Sequence, residues 1–588
     1  MFKAAKASSN APHAEEASER QPSARSIATN PLSITTPESI ALIPLGGTGE
    51  IGKNLTVVQF GGEILVVDCG LAFPFDDVYG VDIVIPDITY LRENADRVRG
   101  IVLTHGHEDH VGALPYVLAE MNVPVWGTCL TLGLVRAKLS ERLPLSQLDL
   151  REYAPGDRIP IGPFYVEPVR VTHSIPETVA LNIETPIGRM VFVSDFKIDH
   201  TPIDEWRFDA ARFGQLGEEG VLALVSDSTN AEKPGVTPSE RVVGAAYDRI
   251  FREAPGRIIV TMFASNIHRM QQVLDTAARY GKKVAVLGRS MQQNLDIAIE
   301  MGYVWLPPDT LIRTDQIGQY EGRQLVILAT GAQGEPLSAL TRISRDEYKA
   351  VQIEPGDTVI LSATPIPGNE SLVWRTVNRL IRKGANVIYP PMQPVHVSGH
   401  AYQEELKMML ALVRPKYVIP MHGEPRMAVQ YARMAREMHI PAENIFLMDL
   451  GDTLYLHPEG AKFGEKVPVG RVLVDSGGNS GISDVVLRDR KHLAQDGLVL
   501  VVVSIDKETG EILAGPDVTI RGMAVSEEEE PQFVEYLRQQ VLSELQELDI
   551  SEVTDWDAVR ADVRSTVTRA VKQRLKRRPV VIPVVMEI

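Results

Sequence analysis

The sequence predicts an α/β chain of several units, and three observations carry that reading. From Ile40 to about residue 240, short apolar runs alternate with helical segments, and run after run ends on an acid or a histidine. Between about 240 and 395 the runs 257–260, 283–287, 325–328 and 358–361 read as buried strands separated by helices, the pattern of a doubly wound parallel sheet. Beyond about 470, a strong strand at 498–505, a helix with apolar spacing at 532–545 and a closing strand at 580–585 read as a small α+β unit.

Composition sets the outer limits. A chain of 588 residues is expected to form roughly two to four domains. Hydrophobic content of 44% and charged content of 23% are ordinary for a globular protein. No apolar stretch approaches the roughly 18–20 residues that a membrane helix needs, so no membrane association is expected. Cys69 and Cys129 are the only cysteines; they imply no disulfide framework, fit a reducing cytoplasm, and leave any metal site to His, Asp and Glu. The net charge of −17 argues against a surface coated with phosphate-binding groups, yet it leaves room for a local basic channel.

Residues 1–36 are rich in Ala, Ser and Pro without periodicity and read as a disordered tail; they lack the continuous apolar core of a signal peptide. Order begins at Ile40. The run Gly47-Thr48-Gly49-Glu50-Ile51-Gly52 matches a dinucleotide fingerprint in form, but a strand follows it where that motif needs a helix. We read it as a glycine turn beside the site. The strand at 63–67 ends at Asp68, an acid placed to orient a metal ligand from behind.

The densest chemistry follows the apolar run 100–103: Thr104-His105-Gly106-His107-Glu108-Asp109-His110. Three imidazoles and a carboxylate so close together are hard to explain as packing, and they are common zinc ligands. His105 and His107 can point to one side, with Asp109 and His110 facing the other if a helix begins here. His173 and Asp195 each close a later strand. Singly, each has a plain explanation, as a core or capping histidine and as a turn former; their shared place at strand ends favours function. Asp227 repeats the pattern in Ser226-Asp227-Ser228-Thr229-Asn230, and His396-Val397-Ser398-Gly399-His400 and Pro420-Met421-His422-Gly423-Glu424 follow the insert. Near the end, Arg564, Arg569, Lys572, Arg574, Lys576, Arg577 and Arg578 make a basic helix, more readily a solvated face or an oligomer contact than a nucleic-acid site.

Taken together, His105, His107, Asp109, His110, His173, Asp195 and His422 resemble the ligand set of the metallo-β-lactamase fold. Asp227, His400 and His422 look like the additional motifs of the β-CASP nucleases, and the quoted motifs resemble those of the ribonuclease J family over about residues 38–588. The resemblance implies a metallo-β-lactamase αββα sandwich in two parts, 37–238 and 397–468. It also implies a β-CASP α/β insert over 239–396, a linker at 469–490 and a C-terminal α+β domain at 491–588. It implies two zinc ions per chain, with manganese or magnesium as an additional or substitute metal. One zinc would be held by His105, His107 and His173, the other by Asp109, His110 and His422, with Asp195 bridging. Asp109, Asp195, Asp227 and His400 would be catalytic, His400 stabilising the transition state or protonating the leaving oxygen and Asp227 orienting it. His396, Ser398, Gly399, His400 and Gly331 would bind substrate.

The activity so implied is zinc-dependent hydrolysis of single-stranded RNA, as a 5′-to-3′ exonuclease preferring 5′-monophosphate ends and as an endonuclease, in RNA maturation and decay in the cytoplasm. A homodimer, joined by other RNA-decay proteins, is the expected assembly. A DNA-directed β-CASP nuclease and a catalytically silent RNA-binding scaffold are the alternatives.

Overall fold

The computed structural model describes residues 38–588 apart from 75–77, 79, 367, 476, 478–481, 507–508, 510 and 548–555. The expected tail at 1–36 lies outside the described residues.

The first unit is two sheets face to face. One has eight strands, in the order Gly460–Phe463, Leu454–His457, Ile40–Gly46, Leu55–Phe60, Glu63–Val67, Val98–Val102, Val125–Gly127 and Leu150–Glu152. The other has six: Tyr417–Met421, Ala223–Asp227, Gly188–Val193, Val179–Thr185, Phe164–Arg170 and Ile159–Ile161. Strand alternation explains the layers. Leu42, Val58 and Leu65 point inward to meet Leu181, Ile183 and Val225. Their neighbours Ile43, Val57 and Val66 point outward under the helices Leu114–Glu120 and Cys129–Ser140. Ala180, Val191 and Leu224 do the same on the far side, under Ala210–Glu219, Gln403–Val413 and Pro425–Glu437. The result is the αββα sandwich. Strands from both ends of the chain complete it, since Ala223–Asp227 pairs in parallel with Tyr417–Met421.

The insert carries a six-stranded, all-parallel sheet in the order Leu311–Ile312, Lys283–Leu287, Leu325–Ala329, Ile258–Thr261, Thr358–Leu361 and Asn386–Ile388. Its strands are apolar on both faces because both are covered: Ile258 and Val260 meet Met270 and Leu274, while Ile259 meets Leu340 and Val377. Leu130, Leu134 and Ile175 of the sandwich join the insert's core. At Gly133, a side chain would meet the Met301 sulfur of the insert at 2.4 Å.

The stretch 469–490 carries the strand Arg471–Val474, paired antiparallel with Ile83–Pro86, and the start of the helix Asp484–Asp496. The C-terminal unit is a three-stranded sheet, Ile512–Arg521, Leu498–Ile505 and Val580–Glu587, covered on one face by the helices Glu530–Glu547 and Trp556–Leu575. Among the described residues no helix is long and apolar enough to cross a membrane.

Candidate metal centre

Every predicted ligand sits just past the end of a strand, on one rim of the sandwich. The strand Val98–Val102 delivers Thr104 to His107, and a short helix, Glu108–Val111, brings Asp109 and His110 in beside them, with the His105 and His110 ring centroids 4.1 Å apart rather than on opposite sides. His173 follows Phe164–Arg170, Asp195 follows Gly188–Val193, and His422 follows Tyr417–Met421.

The donors form two nests. In the first, His107 Nδ1 lies 3.1 Å from His105 Nε2 and 3.2 Å from His173 Nε2. Asp195 Oδ2 lies 3.6 Å and 3.4 Å from those same two Nε2 atoms. In the second, His110 Nε2 is 3.6 Å from Asp109 Oδ2 and 3.3 Å from Asp195 Oδ1. His422 completes it, with Nε2 3.4 Å from Asp109 Oδ2 and Nδ1 3.3 Å from Asp195 Oδ1. Asp195 thus turns one oxygen to each nest. Its Oδ1 is buried with no hydrogen-bond partner, an arrangement that is expensive unless a cation completes it. Donors around a zinc at about 2.0–2.1 Å define a tetrahedron with edges of roughly 3.3 Å, so these spacings and this donor chemistry fit a metal in each nest.

Hydrogen bonds behind the ligands fix which nitrogen faces inward. The Thr104 hydroxyl donates to Asp68 (2.9 Å), so its oxygen accepts from His105 Nδ1 (3.0 Å) and leaves Nε2 free. His110 Nδ1 donates to Asp68 Oδ2 at 2.8 Å, and His173 Nδ1 to the Gly399 carbonyl at 2.8 Å. The last contact needs glycine, because a side chain on residue 399 would meet the His173 ring at 2.5 Å. Thr229 Oγ1, itself donating to the His422 carbonyl (2.7 Å), lies 3.0 Å from His422 Nδ1. Asp68 and His422 both adopt left-handed backbone, φ 61° and 49°, a strain of about 1–3 kcal/mol each of the kind that collects at functional sites.

The electrostatics of the nests differ. Burial, joined by the neighbouring imidazoles, pushes the proton affinity of His105 and His173 well below the ordinary histidine range. Burial lowers His107 to about 4 even with Asp109 and Asp195 opposing it. In the second nest burial also disfavours charge, but Asp195 and other carboxylates outweigh it, holding His110 well above its usual range and His422 up to about 10. Asp109 and Asp195 lie well below theirs, since the facing imidazoles overcome the effect of burial.

Beside the nests, His400 Nδ1 meets Asp227 Oδ2 at 2.8 Å, and His400 Nε2 lies 3.8 Å from Asp195 Oδ2. Ser398 Oγ accepts from Asn230 (2.8 Å) and from the His400 backbone (3.1 Å). His396 stands on the same segment. Gly331 (φ 113°) sits in the turn after Leu325–Ala329, with Ser338 and Leu340 as its nearest neighbours. Sequence reading missed Asn54, whose amide lies 3.0 Å from both His110 Nε2 and the Asp109 carbonyl. Thr104 and Thr229, behind His105 and His422, and Asn230, behind Ser398, were missed although they stand inside the quoted motifs. The glycine turn does border the site: Gly47 accepts from the His422 backbone at 2.8 Å, and a side chain on it would strike Asn54.

Comparison with known proteins agrees with this architecture. Residues 48–206 match the metallo-beta-lactamase superfamily, 255–380 the ribonuclease J beta-CASP domain, 389–447 the Zn-dependent metallo-hydrolase RNA specificity domain, and 485–588 the ribonuclease J C-terminal domain. Ribonuclease J of Synechocystis sp. is 43% identical, over 93% of this chain and 87% of its own length. Ribonuclease J2 of Bacillus subtilis is 41% identical over 94% and 99%, and ribonuclease J of Thermus thermophilus 42% over 94% and 96%. A protein of unknown function from Enterococcus faecalis, 17% identical with a TM-score of 0.50 over 71% of this chain and all of its own, shares the fold. Near-complete coverage by these relatives, joined to the two His/Asp nests, makes the chain a member of the ribonuclease J family of metal-dependent hydrolases.

Proposed function

We propose that this chain is a zinc-dependent ribonuclease that hydrolyses single-stranded RNA both from 5′-monophosphate ends and internally, in cytoplasmic RNA maturation and decay. The observation that carries the reading is Asp195, one buried carboxylate with an oxygen in each of two nests and the His400–Asp227 pair alongside. His105, His107 and His173 would hold one zinc and Asp109, His110 and His422 the other. When bound, such a pair supplies an activated water and stabilises charge on the phosphoryl oxygens.

The chain's own residues do the rest. Asp227 accepts a hydrogen bond from His400 Nδ1 and its charge favours a second proton on the ring, which Nε2 would then give to the leaving oxygen or set against its developing charge. His396, Ser398, Gly399 and Gly331 would receive the substrate's terminal phosphate. Ser398 is held in place for that by Asn230. The relatives named ribonuclease J and the RNA specificity domain match support RNA over DNA. A homodimer is supported by the exposed apolar face of the closing strand, where Ile582, Val584 and Met586 point outward.

The test is a time course on one RNA and its DNA counterpart, each carrying a 5′ monophosphate, triphosphate or hydroxyl, with zinc or manganese supplied. Mononucleotide release from monophosphorylated RNA, lost in His105→Ala, is expected. Equal or faster loss of DNA contradicts the RNA reading, and tight RNA binding without cleavage supports a scaffold.

A further inference from the structure

One side chain joins the insert to both segments that connect it with the sandwich. Arg269, on the helix Ile267–Arg279, is fully buried. Its Nε donates to Glu240 Oε1 at 2.7 Å, on the segment entering the insert. Its Nη1 donates to the Ser362 carbonyl at 2.6 Å, at the end of the strand Thr358–Leu361, and lies 3.0 Å from His396 Nδ1. Its Nη2 reaches the Val397 carbonyl at 3.4 Å. His396 and Val397 begin the returning segment that carries Ser398, Gly399 and His400.

The chemistry of the His396 contact is one-sided. A guanidinium has only donors and keeps its charge, so the ring nitrogen it meets has to accept. The Ser362 carbonyl keeps a second lone pair and also faces the ring, so it competes for a proton on that nitrogen, but the guanidinium hydrogen 3.0 Å away occupies the same side of it. Nε2 therefore carries the proton. It has no hydrogen-bond partner among the described residues and is not wholly buried, so it is left free to meet a ligand. Burial and the positive charges of Arg269, Lys233 and Lys197 keep the ring neutral.

We propose that Arg269 is a positioning residue for the terminal-phosphate pocket: it fixes His396 in the tautomer whose Nε2–H is offered to the phosphate. The proposal rests on the end-recognition reading above. The Glu240 contact keeps the guanidinium in place, because it neutralises a charge that could not otherwise be buried.

The test has two arms on the full-length chain. In protein with ¹⁵N-labelled histidine, the His396 signal is identified by its loss in His396→Gln. The expected wild-type ring has its proton on Nε2, and Arg269→Gln shifts population to Nδ1. A wild-type proton on Nδ1, or an unchanged tautomer in Arg269→Gln, overturns the proposal. Arg269→Lys keeps the charge without the fork and, should Arg269→Gln fail to fold, is expected to give the same shift at reduced size. In the second arm, the rate ratio of monophosphate to hydroxyl RNA falls about tenfold or more in Arg269→Gln, the worth of a hydrogen bond to a charged group. Combining it with His396→Gln adds no further loss, as expected for residues acting through one another. Equal slowing on both ends, with the ratio intact, marks Arg269 as merely structural and overturns the proposal. A wild type that does not discriminate between ends overturns the pocket reading instead, and the tautomer comparison still decides the role of Arg269.

Discussion

The two nests share Asp195 and draw on the same residue types, yet they are built in opposite ways. The first is made of His105, His107 and His173, all before the insert, and burial lowers the proton affinity of these rings. Neutral imidazoles are ready ligands. The second joins Asp109 to His422, 313 residues apart, and is rich in carboxylates: Asp109 and Asp195 in the nest, Asp68 behind His110. Against burial, those carboxylates raise the proton affinity of its imidazoles. The first nest is thus a local product of one strand end and its neighbours. The second is a negative hole that exists only once the chain has gone through the insert and returned.

Replacing Asp195 breaks both nests together. Asp195→Asn is expected to lower RNA hydrolysis by about a thousandfold or more, since one nest then faces an amide NH2 and the other only an uncharged carbonyl, and to reduce bound metal at both. Retention of one metal at full occupancy, measured by plasma mass spectrometry, would show that the nests are independent. His400→Ala lies outside both. Its rate is expected to fall by about 10²–10⁴-fold, the usual worth of a general acid or base, with metal content unchanged; a lost metal would make His400 a ligand.

Asp68→Asn sharpens the comparison. Asp68 touches His110 directly and His105 only through Thr104, so the second nest should lose metal first, with affinity down about 10–100-fold. The smallest effects separate the nests cleanly. Thr104→Val should weaken the first and Thr229→Val the second, each by roughly two- to tenfold, the value of one hydrogen bond. Metal titrations showing the same loss at the same nest from both variants would erase the distinction.

What the sequence disclosed follows the same division. The candidate donors were legible because three histidines and an aspartate in six residues have few other uses, and because His173, Asp195 and His422 each follow an apolar strand. Asp68 was legible for the same reason. The doubly wound insert was readable since strands buried on both faces are apolar throughout, as 258–260 and 359–361 are. The strand Arg471–Val474 was not, because a four-residue edge strand gains its identity from its partner Ile83–Pro86, far away in the chain. Arg269 was equally hidden. An arginine on an amphipathic helix reads as solvated, and only folding places Glu240, Ser362 and Val397 around it.

The central claim is that Asp195 stands between two metals, with His400 beside them and not among the ligands. Anomalous diffraction at the zinc edge, from crystals of the zinc-loaded protein, tests it most directly. The account predicts two peaks, one among His105, His107 and His173 and one among Asp109, His110 and His422, each next to an Asp195 oxygen. The residues Asp195, Asp227, His400 and His422 are also close enough to surround an ion. A peak there in place of either expected one would make His400 a ligand and contradict the account.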